Sequence, residues 1–127
     1  MLELYIEDVN RILKAEPRLE QEEHPPRIAR AQAFPYPDLK RLWVRVDMTP
    51  FVKYPNLELN VFGPDGELAQ EMFVIENRDL SLSLTMHLPD PVPDAPYRLQ
   101  VVLIRDEEVL DTAEVPFHLT FVDIERA

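Results

Sequence analysis

The stretch SLSLTMH, residues 81–87, sets hydroxyls and an imidazole at alternate positions, and Ser83 as nucleophile with His87 as base would be the start of a hydrolase. Strand geometry removes that option. Residues four apart on a strand lie roughly 13 Å apart at about 3.3 Å per residue, whereas a nucleophile and its base must be in hydrogen-bond contact. No glycine-flanked nucleophile turn surrounds Ser83, and the same residues read as a solvated polar face. Metal chemistry meets a similar obstacle. His24, His87 and His118 are the only imidazoles, no two of them share a short ligand spacing, and there is no cysteine to supply thiolate. With two glycines in all, Gly63 and Gly66, the chain has neither a phosphate-cradling loop nor a dinucleotide fingerprint. The residues therefore predict no catalytic machinery, no metal and no cofactor.

Composition narrows the partners. The formal net charge of −11 and a pI near 4.6 disfavour nucleic acid and anionic membrane surfaces, because an acidic surface repels phosphate. The opening MLELYIEDVNRILKAE has no basic leader and no uninterrupted apolar run, and no stretch approaches the ~20 apolar residues of a membrane span. These features predict a soluble, cytoplasmic chain. Its 127 residues and 46% hydrophobic content suit one packed domain. Thirteen prolines against two glycines, with no cysteine, match a thermophile-like composition in which stiff loops replace disulfides.

The elements that would position any site follow from hydrophobic spacing. Ile6, Val9, Ile12 and Leu13 recur at helical intervals and predict a short amphipathic helix over residues 5–15. Residues 16–26, EPRLEQEEHPP, are acidic and proline-bounded, as a linker is, so residues 1–26 form a helix and linker and residues 27–127 the body. From Arg27 the text alternates apolar and polar residues between turn signals. It predicts seven strands near 27–34, 40–49, 56–63, 67–76, 79–88, 97–105 and 109–122, with GPDG at 63–66 as a hairpin turn. Inward positions are Leu42, Val44, Val46 and Met48; Leu80, Leu82, Leu84, Met86 and Leu88; Tyr97, Leu99, Val101 and Leu103; and Val115, Phe117, Leu119 and Phe121.

Seven strands in about 100 residues, LWVRV on the second, a proline-rich loop and PYRLQV opening the sixth together resemble a fibronectin-type-III or immunoglobulin-like sandwich. The resemblance implies an all-β, antiparallel fold and places Tyr97 where that family often has a tyrosine bonded back to the preceding loop. The chain departs from the family pattern in two ways. The immunoglobulin cysteines are missing, and alternation sends Trp43 to the outer face with Arg45 and Asp47. In this layout Asp38, Asp65, Glu67, Asp90 and Asp94 gather at one pole and Glu76, Asp79, Asp106, Glu107 and Glu108 at the other. Such clusters suit calcium, but also serve as acidic turns.

One strand breaks the alternation. In EMFVIE, residues 71–76, inward Met72 and Val74 leave Phe73 and Ile75 outward. Phe62 in the third strand, with Val102 and Ile104 in the sixth, points the same way, so the outer face of one sheet is predicted to carry a contact surface of Phe62, Phe73, Ile75, Val102 and Ile104. Trp43 is a second candidate anchor. The surface could be covered by the N-terminal helix, by a second copy in a homodimer, or by another protein; the expected function is a non-catalytic interaction or assembly module. The alternative is a carbohydrate-binding or calcium-binding module with Trp43, Tyr36, Tyr54 or Phe51 as stacking platforms. Charge is also segregated: residues 26–55 carry six bases and two acids, a basic island of Arg27, Arg30, Lys40, Arg41, Arg45 and Lys53, while residues 1–25 carry seven acids and three bases. The island pairs with acidic neighbours in its own domain, or receives the acidic segment EQEEH of its own or another subunit.

Overall fold

A computed structural model of the chain describes residues 24–122. The helix expected over residues 5–15 lies outside the described residues, as does most of the acidic linker. The described residues form β1 (Ile28–Pro35), β2 (Arg41–Met48), β3 (Asn56–Phe62), β4 (Leu68–Val74), β5 (Ser81–His87), β6 (Pro96–Arg105) and β7 (Glu108–His118). Two antiparallel sheets, ordered β1-β2-β5 and β4-β3-β6-β7, face each other as an immunoglobulin-like sandwich.

Alternation dictates the core. Leu42, Val44 and Val46 of β2 meet Leu57, Leu59 and Val61 of β3 and Leu99, Val101 and Leu103 of β6, all buried, with Met86 and Leu119 beside them. Each such side chain contributes about 1.5–3 kcal/mol through burial. In EMFVIE, Met72 and Val74 pack against this core, which sends Phe73 outward.

Tyr97 is buried at the start of β6, stacks on Phe117 at 5.8 Å, and accepts the Val92 amide proton at its hydroxyl over 3.0 Å. This is the bond back to the preceding loop that the resemblance implied.

The turns follow local rules. In the β3–β4 hairpin, Gly66 takes φ 82° and donates its N–H to the Gly63 carbonyl, while the Asp65 carboxylate accepts from Glu67 N–H at 3.0 Å. Between β6 and β7, Arg105 pairs with Glu108, so Asp106 and Glu107 make a two-residue loop with φ of 54° and 64°. A glutamate there works against its own Cβ, at a cost of roughly 1–2 kcal/mol. Glu107→Gly is expected to stabilise the domain by about 0.5–1 kcal/mol, after allowing for glycine's larger unfolded-state entropy. Equilibrium urea unfolding reads this as a higher midpoint at unchanged slope; a lower midpoint would mean that the glutamate side chain makes a contact outweighing the backbone strain.

Two inward assignments are corrected. Phe121 is 50% exposed, because β7 ends at His118; Leu119 then bonds to Ala95 and Asp94, and the chain leaves the sheet. Leu80 is exposed as well: it precedes β5 at the margin of the sheet, where its carbonyl accepts the Met48 N–H while its side chain stays outside the core.

The long sides of the sandwich are tied. Along one, Ile28 N–H donates to the Asp111 carboxylate at 2.9 Å, joining β1 to β7. Along the other, the Gln70 amide donates to the His87 carbonyl at 2.9 Å, joining β4 to β5. Pro116 interrupts the donor series of β7, an outermost strand.

Candidate interaction surface

Strand register fixes what the outer face of the four-stranded sheet displays. Phe73, Glu58, Val102 and Thr112 form one row across β4, β3, β6 and β7; Asn56, Ile104 and Val109 form the next toward the β6–β7 turn. Ile75 stands beside the second row, one residue past β4. Phe73 is 58% exposed, Ile75 68% and Val109 59%, whereas Val102 and Ile104 are half-buried between their neighbours. These residues make two apolar groups at that end of the face, Phe73 with Ile75 and Val102 with Ile104 and Val109, with Glu58 and Asn56 of β3 between them.

Phe62 belongs to neither group. A polar belt crosses the sheet between them: Asn60 donates to Glu58 at 3.3 Å and to Gln100 at 3.1 Å, Gln100 donates to Glu114 at 3.3 Å, and Arg98 donates to both Glu114 oxygens at 2.7 and 2.8 Å. The hydrogen bond from Arg98 holds the Glu114 carboxyl below its usual range, with Gln100 assisting. The Arg98 guanidinium also lies 4.5 Å from the centre of the Phe62 ring and covers it. The single patch expected from Phe62 to Ile104 is therefore divided, and Val109 takes the place of Phe62. Its signal was available in the sequence, since a two-residue loop at Asp106–Glu107 sets Val109 opposite Ile104.

The opposite face, on the three-stranded sheet, has a different character. Trp43 sits there half-buried, its ring 5.2 Å from Phe34 and its indole N–H donating to Ser83 at 2.7 Å. Tyr36 bonds through its hydroxyl to Thr85 at 2.9 Å and carries Arg41 over its ring at 4.4 Å. Arg45 lies 5.9 Å from the Trp43 ring. A groove of about 240 Å³ runs between Phe34, Tyr36 and Trp43 on one side and Phe121 and Val122 on the other. Sequence reading found Trp43 but missed Phe34, which the period-two pattern from Arg30 through Gln32 places on the same side.

Among the bases on this face, Arg30 and Arg45 share Asp47 at 3.2 and 3.9 Å, and Arg41 meets Asp38 at 3.0 Å. Asp47 is held below the usual carboxyl range by the Ser81 hydroxyl and then by Arg30; Asp38 is held down by the Lys40 backbone N–H and then by Arg41.

The hydrolase geometry is not assembled. Ser83 accepts from Trp43, and His87 stands two strand positions beyond Thr85. Among the described residues, no three histidine, aspartate or glutamate side chains converge closely enough to hold a metal ion. Polar acids instead organise their own loops, as Asp38 does with Lys40 N–H and Asp65 with Glu67 N–H.

No protein-family model matches the chain, and no curated protein sequence is significantly similar to it. Solved structures with a similar fold do exist. The β-glucuronidase of Parabacteroides merdae matches at TM-score 0.59 and 13% identity, over 73% of this chain and 13% of that one. A Bifidobacterium dentium β-glucuronidase matches at TM-score 0.60 and 10% identity, over 75% and 18%. A glycosyl hydrolase family 2 member from Bacteroides cellulosilyticus matches at 0.53 and 12%, over 75% and 15%. The chain spans under a fifth of these enzymes and resembles one small β-sandwich domain within them.

Proposed function

We propose that this domain is a non-catalytic assembly module that binds protein through the apolar end of its four-stranded sheet, with a second copy of the chain as the partner. The observation that carries the reading is the joint exposure of Phe73, Ile75 and Val109 on one face, next to Val102 and Ile104. Isolated exposed hydrophobes are ordinary, but five at one end of one rigid face, in two groups flanking Glu58 and Asn56 of β3, are of the kind that is covered in use. A two-fold contact lets the patch meet its own image. The similarity to one domain of much longer glycosidases supports a module that packs against other protein surface, since most of each such chain lies outside the match.

The sugar-stacking alternative is weaker on geometry. Tyr36, Tyr54 and Trp43 each carry an arginine at the ring, and Phe51 meets Tyr54 edge-on at 6.3 Å. None presents an uncovered platform with convergent polar groups.

Light scattering after size exclusion tests the reading. The full chain is expected to run as a dimer, and Phe73→Glu with Ile75→Glu as a monomer that still unfolds cooperatively, because both side chains are exposed in the single chain. A monomeric parent, or a double variant that keeps the parent's mass, would sink the proposal.

A further inference from the structure

We propose that residues 1–23 dock in cis on the outer face of the three-stranded sheet, the acidic segment 16–23 lying along Arg30 and Arg45 and the apolar side of residues 5–15 entering the groove between Trp43 and Phe121. Three observations point to this occupant, and none depends on the assembly proposed for the opposite sheet.

The first is charge. Residues 16–23 contain Glu16, Glu20, Glu22 and Glu23 against the single base Arg18. On the described face stand Arg30, Arg41 and Arg45 against Asp47 and the Asp38 that Arg41 holds, which makes it basic in a chain of net charge −11. On this face Arg30 and Arg45 share the single carboxylate of Asp47, which leaves a cation in excess, whereas on the four-stranded face Arg98 is matched by both oxygens of Glu114. Complementary charge selects the docking face and orients the segment on it.

The second is where the described chain begins. His24 leads directly into β1, an outermost strand of the three-stranded sheet, beside Thr49 and Phe51 at the end of β2. A segment running back from His24 meets Arg30 and Arg45 first and then Phe34 and Trp43, which pair across β1 and β2.

The third is reach. From Ile28 to Phe34 is about 20 Å along the strand at ~3.3 Å per residue, and the eight residues 16–23 span up to roughly 27 Å extended. That delivers Leu13, Ile12 and Val9 to the groove, whose walls are aromatic and whose outer rim, Phe121 and Val122, is at least half exposed. Apolar side chains seated there remove both rim residues and the Trp43 ring from water.

The composition makes the test clean, since Trp43 is the only tryptophan and there is no cysteine. Leu13→Cys in the full chain, labelled with bimane, places a fluorophore that tryptophan quenches on contact. The proposal expects loss of bimane emission, independent of protein concentration, that is restored in Trp43→Phe and partly restored when Glu16, Glu20, Glu22 and Glu23 are changed to Gln. Emission equal with and without Trp43 would overturn it. Quenching that fades on dilution would also overturn it, by assigning the segment to a second copy. If Trp43→Phe does not fold, acrylamide quenching of Trp43 in the unlabelled chain decides: the four Glu→Gln changes must make the indole more accessible, and an unchanged quenching constant counts against docking.

Discussion

Tyr97→Ala is expected to cost about 3–5 kcal/mol, the range for emptying a large buried side chain from a core, and Tyr97→Phe about 1–2 kcal/mol, for leaving a donor without its acceptor. The two variants separate the roles of one residue. The ring is buried against Phe117 and fills the end of the core, so its removal opens a cavity between β6 and β7. The hydroxyl accepts the Val92 N–H and ties the 88–95 loop to the strand it precedes. Urea unfolding should therefore show a large loss of midpoint for alanine and a smaller one for phenylalanine. Amide exchange should accelerate selectively at Val92 in the phenylalanine variant. Equal losses in both would mean that the hydrogen bond, not the ring, dominates, against the packing argument.

Asn77→Ala is expected to cost about 2–3 kcal/mol, because it strands two backbone groups at once. Asn77 is buried in the connection from β4 to β5. Its amide nitrogen donates to the Asp79 carbonyl at 2.8 Å and approaches the Met48 sulfur at 3.7 Å, while its oxygen accepts Asp79 N–H at 3.3 Å. The buried Asn77 side chain is the partner of both Asp79 backbone groups, so one substitution removes both bonds. Thermal unfolding would register the loss as a drop of roughly 4–8 °C per kcal/mol for a domain of this size. A drop no larger than that of an exposed surface substitution would mean that solvent enters and replaces the bonds.

The sandwich was legible because its information is local. Period two in LWVRVDM and SLSLTMH assigns each side chain to a face with no knowledge of the partner strand, and the structure buries Leu42, Val44, Val46 and Met86 accordingly. Phe121 and Leu80 went wrong where the same rule was carried beyond the strand ends. Alternation does not say where pairing stops; that depends on which opposing sheet is present to cover the residue.

The surfaces were less legible, for a related reason. EMFVIE correctly sends Phe73 outward, since any register leaves two large apolar residues on the far side. Whether Phe62 joins Phe73 depends on what β6 and β7 place between them, and Arg98, Gln100 and Glu114 are neighbours of Asn60 only through strand pairing. Similarly, Phe34 and Phe121 flank Trp43 from positions 9 residues before and 78 after it, a juxtaposition that no spacing in the chain encodes.

The seams along the sides of the sandwich bear on how copies can accumulate. An open strand edge templates another strand, and addition by backbone pairing has no natural end, which is how soluble β proteins become fibrils. Here the β1 and β7 side is fastened by Ile28 and Asp111, Pro116 removes a donor from β7, and Gln70 bridges β4 to β5. Growth by lateral strand addition is thereby discouraged, whereas the two-fold contact proposed for the four-stranded face would be satisfied after two copies and propagate no further.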